Sequence, residues 1–331
     1  MNWYIVRLRF NGALHVGRDD AGVGIEGVQP YTHSDTLFSA FCNVWSGDEA
    51  GEKAIEAAKE GNPPIRLSSA FPYYADKKNP NKFIYFLPRP LLPVSTSFNV
   101  YARTVKQTSF LSLDQFEGWA RGDIIDDVGA EHHRLGYANH SELYIEQVRP
   151  RHASSRITMT SAIYHCGEIF FRDGAGLYFL AETSDLDLLQ NSLNRLSHSG
   201  LGGERSIGYG SFKYDIPELI TEGSRFGKLR SISGNASCLL SIYYPDKGEI
   251  AEIQSLALAY GTVLRKGWFY SKSAKEQGKR KTCRMFSEGS IFRSLPKGRI
   301  LDVRPHGMKH QVFRYGMAMS LPIKISGANY A

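Results

Sequence analysis

Five glycines fall within eleven residues of this chain, in the segment Gly200-Leu201-Gly202-Gly203-Glu204-Arg205-Ser206-Ile207-Gly208-Tyr209-Gly210. The segment follows a predicted helix, residues 185–198, and precedes a predicted strand through Phe212 and Tyr214. A dinucleotide-binding fingerprint has its glycines between a strand and a helix, and a P-loop ends in Gly-Lys-Ser/Thr, so neither motif fits. Two interpretations remain open. The loop is a backbone-lined cradle for phosphate or ribose, with Arg205 and Ser206 as donors, or a tight helix-to-strand turn.

The segments around this loop predict an α+β fold. Alternating apolar residues from Tyr4 to Phe10 are typical of a half-buried strand. A helix is predicted next, with Ser34 as its N-cap and Asp35 complementing the helix dipole. Residues 163–171 and 177–180 are predicted strands. The resulting order, β-α-β-β-α-β with a long insertion, is the ferredoxin-like arrangement of RNA-recognition folds.

The composition along the chain predicts two domains. The first spans residues 1–222 and includes an inserted lobe, about residues 93–161, in which charges, turns and histidines have no clear period. A Gly/Ser-containing link over residues 223–234 leads to a second domain, residues 235–331. The second domain could be a diverged copy of the first.

Bulk composition narrows the class of protein. The chain has 331 residues and a net charge of +7, which is compatible with a phosphate-rich partner. The four cysteines include no C-x-x-C pair, which argues against a structural zinc site and a disulfide scaffold. The N-terminal residues resemble a strand rather than a signal peptide, and no apolar run approaches the ~20 residues that span a bilayer. We expect a soluble, cytoplasmic protein with no cofactor and no metal.

Several separated motifs resemble the RAMP superfamily, whose members build CRISPR RNA complexes. The glycine-rich loop is similar to the glycine-rich loop of that superfamily, and His15-Val16-Gly17 is similar to its His-x-Gly motif. Ser34-Asp35-Thr36-Leu37 is similar to its Ser-Asp-Thr-Leu helix opening, and Arg156-Ile157-Thr158 is similar to its Arg-x-Thr element. Segments 267–271, 286–292 and 314–316 are similar to the capping subunits of type III-A complexes. That resemblance implies two RRM-like domains that hold the 5′ handle of the CRISPR RNA. It also implies two protein partners, the large signal-generating subunit and the backbone subunit.

Residue types and the resemblance together predict an RNA-binding set, without catalytic or metal-binding members. It comprises His15, Arg18, His33, Ser34, Arg149, Arg151, Arg156, Thr158, Gly200, Gly202, Gly203, Arg205, Ser206, Gly208, Gly210, Arg265, Trp268, Lys279, Arg280 and Lys281. Residues 265–284 carry eight cationic side chains against one acidic one, with aromatic residues beside them, a composition suited to single-stranded RNA. His15 has three possible roles: an RNA contact, a general base, or a hydrogen bond to its own loop.

The sequence leaves a second function open. Some RAMP proteins are metal-independent endoribonucleases that process CRISPR RNA precursors, and this chemistry needs a base, an acid and a cation near the phosphate. His15 or His33, with Tyr31 and Arg205, are the candidates. The resemblance favours binding without catalysis, because the processing enzymes have their glycine-rich loop near the C-terminus whereas this loop lies mid-chain.

Overall fold

The structure is a computed structural model, and it describes residues 1–18, 24–76, 78–92, 109–122, 143–155, 160–271 and 278–325. Its first half is built on one antiparallel sheet. The strands are β1 (Asn2–Phe10), β2 (Ile65–Leu67), β3 (Phe71–Asp76), β4 (Asn79–Pro88), β5 (Phe110–Ser112), β8 (Ala175–Thr183), β9 (Phe212–Tyr214) and β10 (Glu218–Leu219). They lie in the order β10-β1-β8-β3-β4-β5, with β9 beside β1 and β2 beside β8. The alternation seen from Tyr4 to Phe10 therefore belongs to a central strand.

Helices cover one face of this sheet. They are α1 (Ser34–Trp45), α2 (Glu49–Lys59) and α4 (Leu186–Ser199), while α3 (Leu113–Arg121) and α5 (Arg225–Arg230) lie elsewhere. Val6 and Leu8 of β1, with Leu177 and Phe179 of β8, share one core with α1, α2 and α4. The predicted helix at 185–198 and the two predicted strands before it are confirmed, with small shifts of their ends. Helix α1 begins at Ser34 with His33 as its N-cap, so the prediction that Ser34 caps the helix is wrong.

The second half packs against the opposite face. Its strands β12 (Ala257–Ala259), β15 (Ile291–Phe292), β11 (Ala236–Leu239) and β18 (Ser320–Ile323) form a four-stranded sheet in that order. Shorter pairs join β13 (Thr262–Arg265) to β14 (Cys283–Phe286) and β16 (Leu301–Asp302) to β17 (Phe313–Arg314). Cys238, Ile291 and Leu321 share a core with Ile5 and Leu180 of the first sheet. The helix described after residue 235 is α6 (Ile253–Leu256), so an RRM-like pattern for this half stays a prediction.

The predicted lobe over residues 93–161 consists of unlike parts. Strand β5 and helix α3 join the main body, where Leu111 and Phe116 are fully buried. Strand β6 (Tyr144–Ser155) instead forms a twelve-pair hairpin with β7 (Thr160–Phe171), named here the arm. Most arm residues from Val148 to His165 that the structure describes are exposed. Of the parts of this region that the structure describes, the arm is the one that projects.

Candidate nucleic-acid interface

His15 lies where the loop after β1 meets the arm. The backbone amides and carbonyls of Leu14 and Ile169 bond to each other at 2.8 and 2.9 Å, which fixes the loop against β7. The imidazole of His15 is buried, and its Nδ1 lies 2.8 Å from the carbonyl oxygen of Gly167. Since a carbonyl only accepts, Nδ1 carries the proton and Nε2 is left as the second polar atom of the ring. His15 thus bonds to the backbone of β7, where a structural role predicted a bond to the backbone of its own loop.

The glycine-rich loop packs directly on this histidine. The amide of Gly203 donates to the carbonyl of His15 at 2.8 Å, and the amide of Gly210 donates to that of Ala13 at 2.8 Å. A Cβ on Gly202 would stand 2.3 Å from the carbonyl oxygen of His15, and one on Gly210 would stand 1.9 Å from that of Leu201. Both glycines also have positive φ, of 90° and 72°. Close backbone approach thus requires glycine at these two positions.

These contacts correct the expectation of a continuous cradle of free amides. The amides of Leu201, Gly203 and Gly210 are already bonded within the chain, and Leu201 and Gly210 are buried. What remains outside is the crest of the loop, a short 3₁₀ turn over Arg205–Ile207 followed by Gly208. Ser206 and Gly208 are exposed, and the Arg205 guanidinium lies 5.2 Å from the ring centre of Tyr270. The surface offered by the loop is therefore this crest and its arginine.

The start of α1 binds the second half of the chain. Ser34 is fully buried, and its hydroxyl accepts the amide hydrogen of Ile242 at 3.2 Å. The buried carboxylate of Asp35 accepts two hydrogen bonds from Arg265, at 2.9 and 3.0 Å, and a third from Arg314. The structure thus places Ser34, fully buried, in the contact between the two halves. Asp35 bonds to two distant strands, β13 and β17.

His33 forms a second buried link between the halves. Its Nδ1 lies 2.8 Å from the carboxylate of Glu288, which also accepts from the hydroxyl of Ser69. Burial by itself lowers the pKa of His33, but the charge and hydrogen bond of Glu288 outweigh it and raise that pKa above its ordinary 6.5. Burial by itself raises the pKa of Glu288. The charge of His33 and the hydrogen bonds from His33 and Ser69 outweigh burial and lower that pKa below its ordinary 4.5. The pair is therefore held in its charged form.

Three arginines share the single carboxylate of Asp35. Arg265 and Arg314 contact it directly. Arg280 lies near enough that the negative charge of Asp35 acts to raise its pKa. Burial and then the charge of Arg314 lower the pKa of both Arg265 and Arg280. Within the described part of the chain, Nε and Nη2 of Arg314 and Nε of Arg280 have no hydrogen-bond partner. The contact between the halves therefore carries excess positive charge.

A small pocket brings the separate motifs together. It has a volume of about 120 Å³ and is lined by His15, Val16, Gly17, His33, Thr36, Gly202, Gly203 and Arg265. The His-x-Gly segment, the helix opening, the glycine-rich loop and the second half of the chain each supply part of its wall. Its charged lining residues are Arg265 and the protonated His33, which suit an anion more than a cation.

A larger pocket with aromatic walls lies between helices α1 and α2 and the second half of the chain. Its volume is about 330 Å³, and its lining includes Phe269, Tyr270, Arg280, His310 and Phe313. Tyr270 connects it to the crest of the glycine-rich loop through Arg205. Nearby in sequence, Trp268 is 64% exposed, and the ammonium of Lys279 lies 5.7 Å from its ring centre. Exposed aromatic rings beside cations are the usual elements of a single-strand binding surface.

Two arginines of the arm contact a buried carboxylate. Glu168 is fully buried and accepts from Tyr209 of the glycine-rich loop and from Arg151 at 2.8 Å, with the Nε of Arg149 at 3.2 Å. The Arg151 guanidinium also lies 5.0 Å from the Tyr209 ring centre. Glu168 therefore links the arm to the loop and holds Arg151 at their junction. Arg149 stays more than half exposed.

The remaining predicted residues take several positions. Arg18 is exposed, and its Nε donates to the carbonyl of Val28 at 2.7 Å. Lys279 and Lys281 are exposed, whereas Arg280 is half-buried and donates to Ser39 at 3.4 Å. Gly200 has a φ of 79° and ends α4. Arg156 and Thr158 lie outside the described residues, as do the paired acidic residues at 19–20 and 126–127. RNA contact by any of this set stays a prediction.

Sequence reasoning missed Glu288, Glu168 and Tyr209 as members of this region. Glu288 lies within the segment Phe286–Phe292 that resembles capping subunits, so that motif was the available signal for it. Glu168 is the one carboxylate in a mostly apolar predicted strand, and a lone carboxylate there predicts a buried partner. Among the described residues, no group of three His, Cys, Asp or Glu side chains is placed to hold a metal ion. None of the described helices is long and apolar enough to cross a membrane.

The chain has an α+β fold, and its convergent motifs are similar to those of the RAMP superfamily. Solved structures of similar fold include the Csm3–Csm4 subcomplex of the type III-A interference complex, with a TM-score of 0.64 and 18% identity over 98% of this chain and all of that one. A second is the Csm1–Csm4 cassette in complex with AMPPNP, with a TM-score of 0.59 and 20% identity over the same shares. These likenesses concern the fold.

Sequence comparison points to one protein within that class. A family model described as the CRISPR Csm4 C-terminal domain matches residues 233–323. Csm4 of Thermococcus onnurineus is 27% identical over 313 residues, covering 88% of this chain and 91% of that protein. Csm4 of Streptococcus thermophilus is 24% identical over 302 residues, with the same coverage. The resemblance to the type III-A capping subunit is therefore confirmed, and this chain is similar to Csm4 in both halves.

Proposed function

We propose that this chain holds the 5′ handle of the CRISPR RNA in a type III effector complex. The observation that carries the proposal is the small pocket in which His15, His33, Gly202, Gly203 and Arg265 meet. Four segments separated in sequence line one site with the cations His33 and Arg265, beside an exposed crest carrying Arg205. A phosphate group is the anion that such a cationic site suits.

The surroundings of the pocket suit unpaired RNA. Trp268 and Tyr270 offer rings on which bases stack, while Lys279, Lys281 and Arg205 supply positive charge for the backbone. Arg149 and Arg151 on the arm extend the charged surface across the glycine-rich loop. Handle recognition by this chain combines phosphate contacts with stacking of splayed bases.

The protein partners follow from the relatives. Csm4 has been solved with Csm1 in one assembly and with Csm3 in another. On this basis the chain caps the filament of backbone subunits and docks the large subunit. The arm and the exposed edge strand β10, with Leu219 at 48% exposure, are surfaces of the chain open to such partners.

The chain contributes binding and no chemistry of its own. The groups available for endoribonuclease catalysis are engaged in the fold: Nδ1 of His15 binds Gly167, and His33 is paired with Glu288. Incubating the purified chain with repeat RNA in EDTA tests this directly. Specific cleavage that disappears in His15→Ala would replace the binding function with the endoribonuclease one.

RNA retention by purified complexes tests the binding site. Arg205→Glu combined with Lys279→Glu and Lys281→Glu is expected to abolish guide RNA retention, since it reverses three charges around the crest. A matched control reverses three exposed lysines elsewhere, Lys53, Lys213 and Lys228. Full guide RNA occupancy in the first variant, or equal loss in both, contradicts the assigned site.

A further inference from the structure

A third cleft lies between the two sheets, on residues that line neither pocket of the RNA interface. It has a volume of about 510 Å³, and its walls include Trp3, Arg66, Glu182, Arg230, Arg293 and Ser320. Trp3 and Arg66 flank Glu182 in the strand register, so these three side chains form a row across β1, β8 and β2. Ser320 reaches the cleft from β18 of the second sheet. This volume is within the usual range of small-molecule sites, roughly 300–1,000 Å³.

Three polar atoms on the walls of this cleft have no partner. They are the indole Nε1 of Trp3, the Nε of Arg66 and the hydroxyl oxygen of Ser320, all closed to solvent and unbonded within the described residues. Trp3 and Ser320 are both more than nine-tenths buried. A buried polar group left without a partner costs about 1–3 kcal/mol, so three around one cleft are a strong indication of a missing acceptor.

Positive charge exceeds negative charge on the walls of the cleft. Arg66 and Arg230 line it together with one carboxylate, Glu182, which accepts from Arg66 at 3.4 Å, and Arg66 also donates to the carbonyl of Ala318 at 2.7 Å. Arg230 is exposed and lies 4.3 Å from the ring centre of Trp3. It forms no ion pair with any described carboxylate, and a change of its rotamer would open the indole edge. The missing acceptor is therefore an anion with several oxygens, held from both sheets at once.

We propose that this cleft binds a phosphate-bearing small molecule, either free phosphate or the phosphate group of a nucleotide. A tetrahedral oxyanion accepts hydrogen bonds from several directions, which matches an indole N–H, a hydroxyl and guanidinium forks that converge from different strands. Guanidinium pairs with phosphate in two parallel bonds, for which Arg230 is available, whereas Arg66 offers its unpartnered Nε because its terminal nitrogens bond to Glu182 and Ala318. Because residues of both sheets line the cleft, the ligand also braces the two halves against each other.

Calorimetric titration of the purified full chain without RNA tests the proposal. The probes are orthophosphate, AMP and adenosine, at constant ionic strength. Orthophosphate and AMP are expected to bind and adenosine is not, since it lacks the phosphate. Equal affinities for orthophosphate and AMP would show that the cleft recognises the phosphate group alone. Much tighter binding of AMP would show that its ligand is a nucleotide.

Matched variants locate the site. Trp3→Phe keeps the ring and removes the N–H, and Arg230→Gln removes an exposed charge without disturbing the core; each is expected to weaken binding about tenfold. Trp119→Phe removes another unpartnered indole N–H outside the cleft, and Lys228→Gln removes a charge from the same helix as Arg230. Both controls should bind normally. Absence of binding by orthophosphate and AMP at millimolar concentration, or equal weakening in the controls, overturns the proposal. A cleft that binds RNA but neither orthophosphate nor AMP also overturns the proposal.

Discussion

The carboxylate of Asp35 and the guanidinium of Arg265 form two buried hydrogen bonds, at 2.9 and 3.0 Å, across 230 positions of sequence. Arg314 binds the same carboxylate from another strand of the second half. The segment Ser34–Leu37 thus joins the two halves of the chain at the edge of the candidate RNA site. The position of Arg265 on the wall of the small pocket depends on this pairing.

Removal of the carboxylate charge should therefore destabilise the whole chain. In Asp35→Asn, Arg265 and Arg314 remain buried without a counter-charge, and we expect the free energy of unfolding to fall by about 3–5 kcal/mol. Asp114→Asn is the control, because its ion pair with Arg225 is exposed and such pairs contribute about 0–1 kcal/mol. Urea unfolding measures both. Similar losses in the two variants would contradict the role of Asp35.

Stability should depend on pH through the pair of His33 and Glu288. The pKa of Glu288 is depressed, so its contribution is present above its ordinary 4.5 and is lost as the pH falls below that value. The pKa of His33 is raised, so its contribution is complete below its ordinary 6.5 and is lost as the pH rises through the raised pKa. The full contribution therefore lies between about pH 4.5 and 6.5.

The variant Glu288→Gln isolates this effect from other titrations. We expect the difference in unfolding free energy between the native chain and Glu288→Gln to be largest within that window and to shrink on either side. Urea unfolding at a series of pH values measures the difference. A difference that stays constant from acidic to alkaline pH would show that the pair does not act as a charged link.

Two glycines of the loop should respond differently to alanine. Gly202 and Gly208 have nearly equal positive φ, 90° and 91°, so an alanine at either position costs about 1–2 kcal/mol of backbone strain. A Cβ at Gly202 also meets the carbonyl of His15 at 2.3 Å, whereas one at Gly208 meets no atom within 4 Å. We expect Gly202→Ala to lose about 1–3 kcal/mol more than Gly208→Ala in urea unfolding. Equal losses would mean that the loop moves freely off His15.

Local features of this fold could be predicted from the sequence, and long-range ones could not. The leucine spacing before Gly200 and the alternation after Tyr4 are properties of one segment, and both elements are present in the structure. The partners of Asp35 lie more than two hundred residues away. No local pattern shows that Arg265 pairs with Asp35, and its charge by itself had predicted an RNA contact. Among the described cationic residues of the block at 265–284, Arg265 is therefore buried, Arg280 is half-buried and the others are exposed.

The glycine-rich loop shows the same limit. Glycine is favoured both where a ligand approaches the backbone and where another backbone does, so its presence cannot distinguish the two causes. The distances from Gly202 and Gly210 to neighbouring carbonyls show that the fold itself needs them. The motif predicted where in the sequence a candidate site lies, and the structure shows which of its groups face outward.

An exposed tryptophan should contribute to RNA affinity. Base stacking on an aromatic ring contributes about 1–3 kcal/mol, so Trp268→Ala is expected to weaken binding of a single-stranded handle RNA by roughly tenfold or more. Tyr260, also 60% exposed but packed beside Phe286 away from the cationic residues, is the control. Fluorescence anisotropy with labelled RNA measures both variants. Unchanged affinity in Trp268→Ala would remove this ring from the interface.

The link between the arm and the glycine-rich loop should depend on Glu168. In Glu168→Gln the buried carboxylate that accepts from Tyr209 and Arg151 becomes a neutral amide, and the charge-assisted bonds to the arm are lost. We expect faster amide hydrogen exchange in residues 205–210 and in the arm, together with weaker RNA binding, because Arg151 is no longer held at the junction. Glu146→Gln changes an exposed carboxylate of the same hairpin and should alter neither quantity. If both variants exchange like the native chain, the loop is positioned by its backbone contacts to Ala13 and His15 alone.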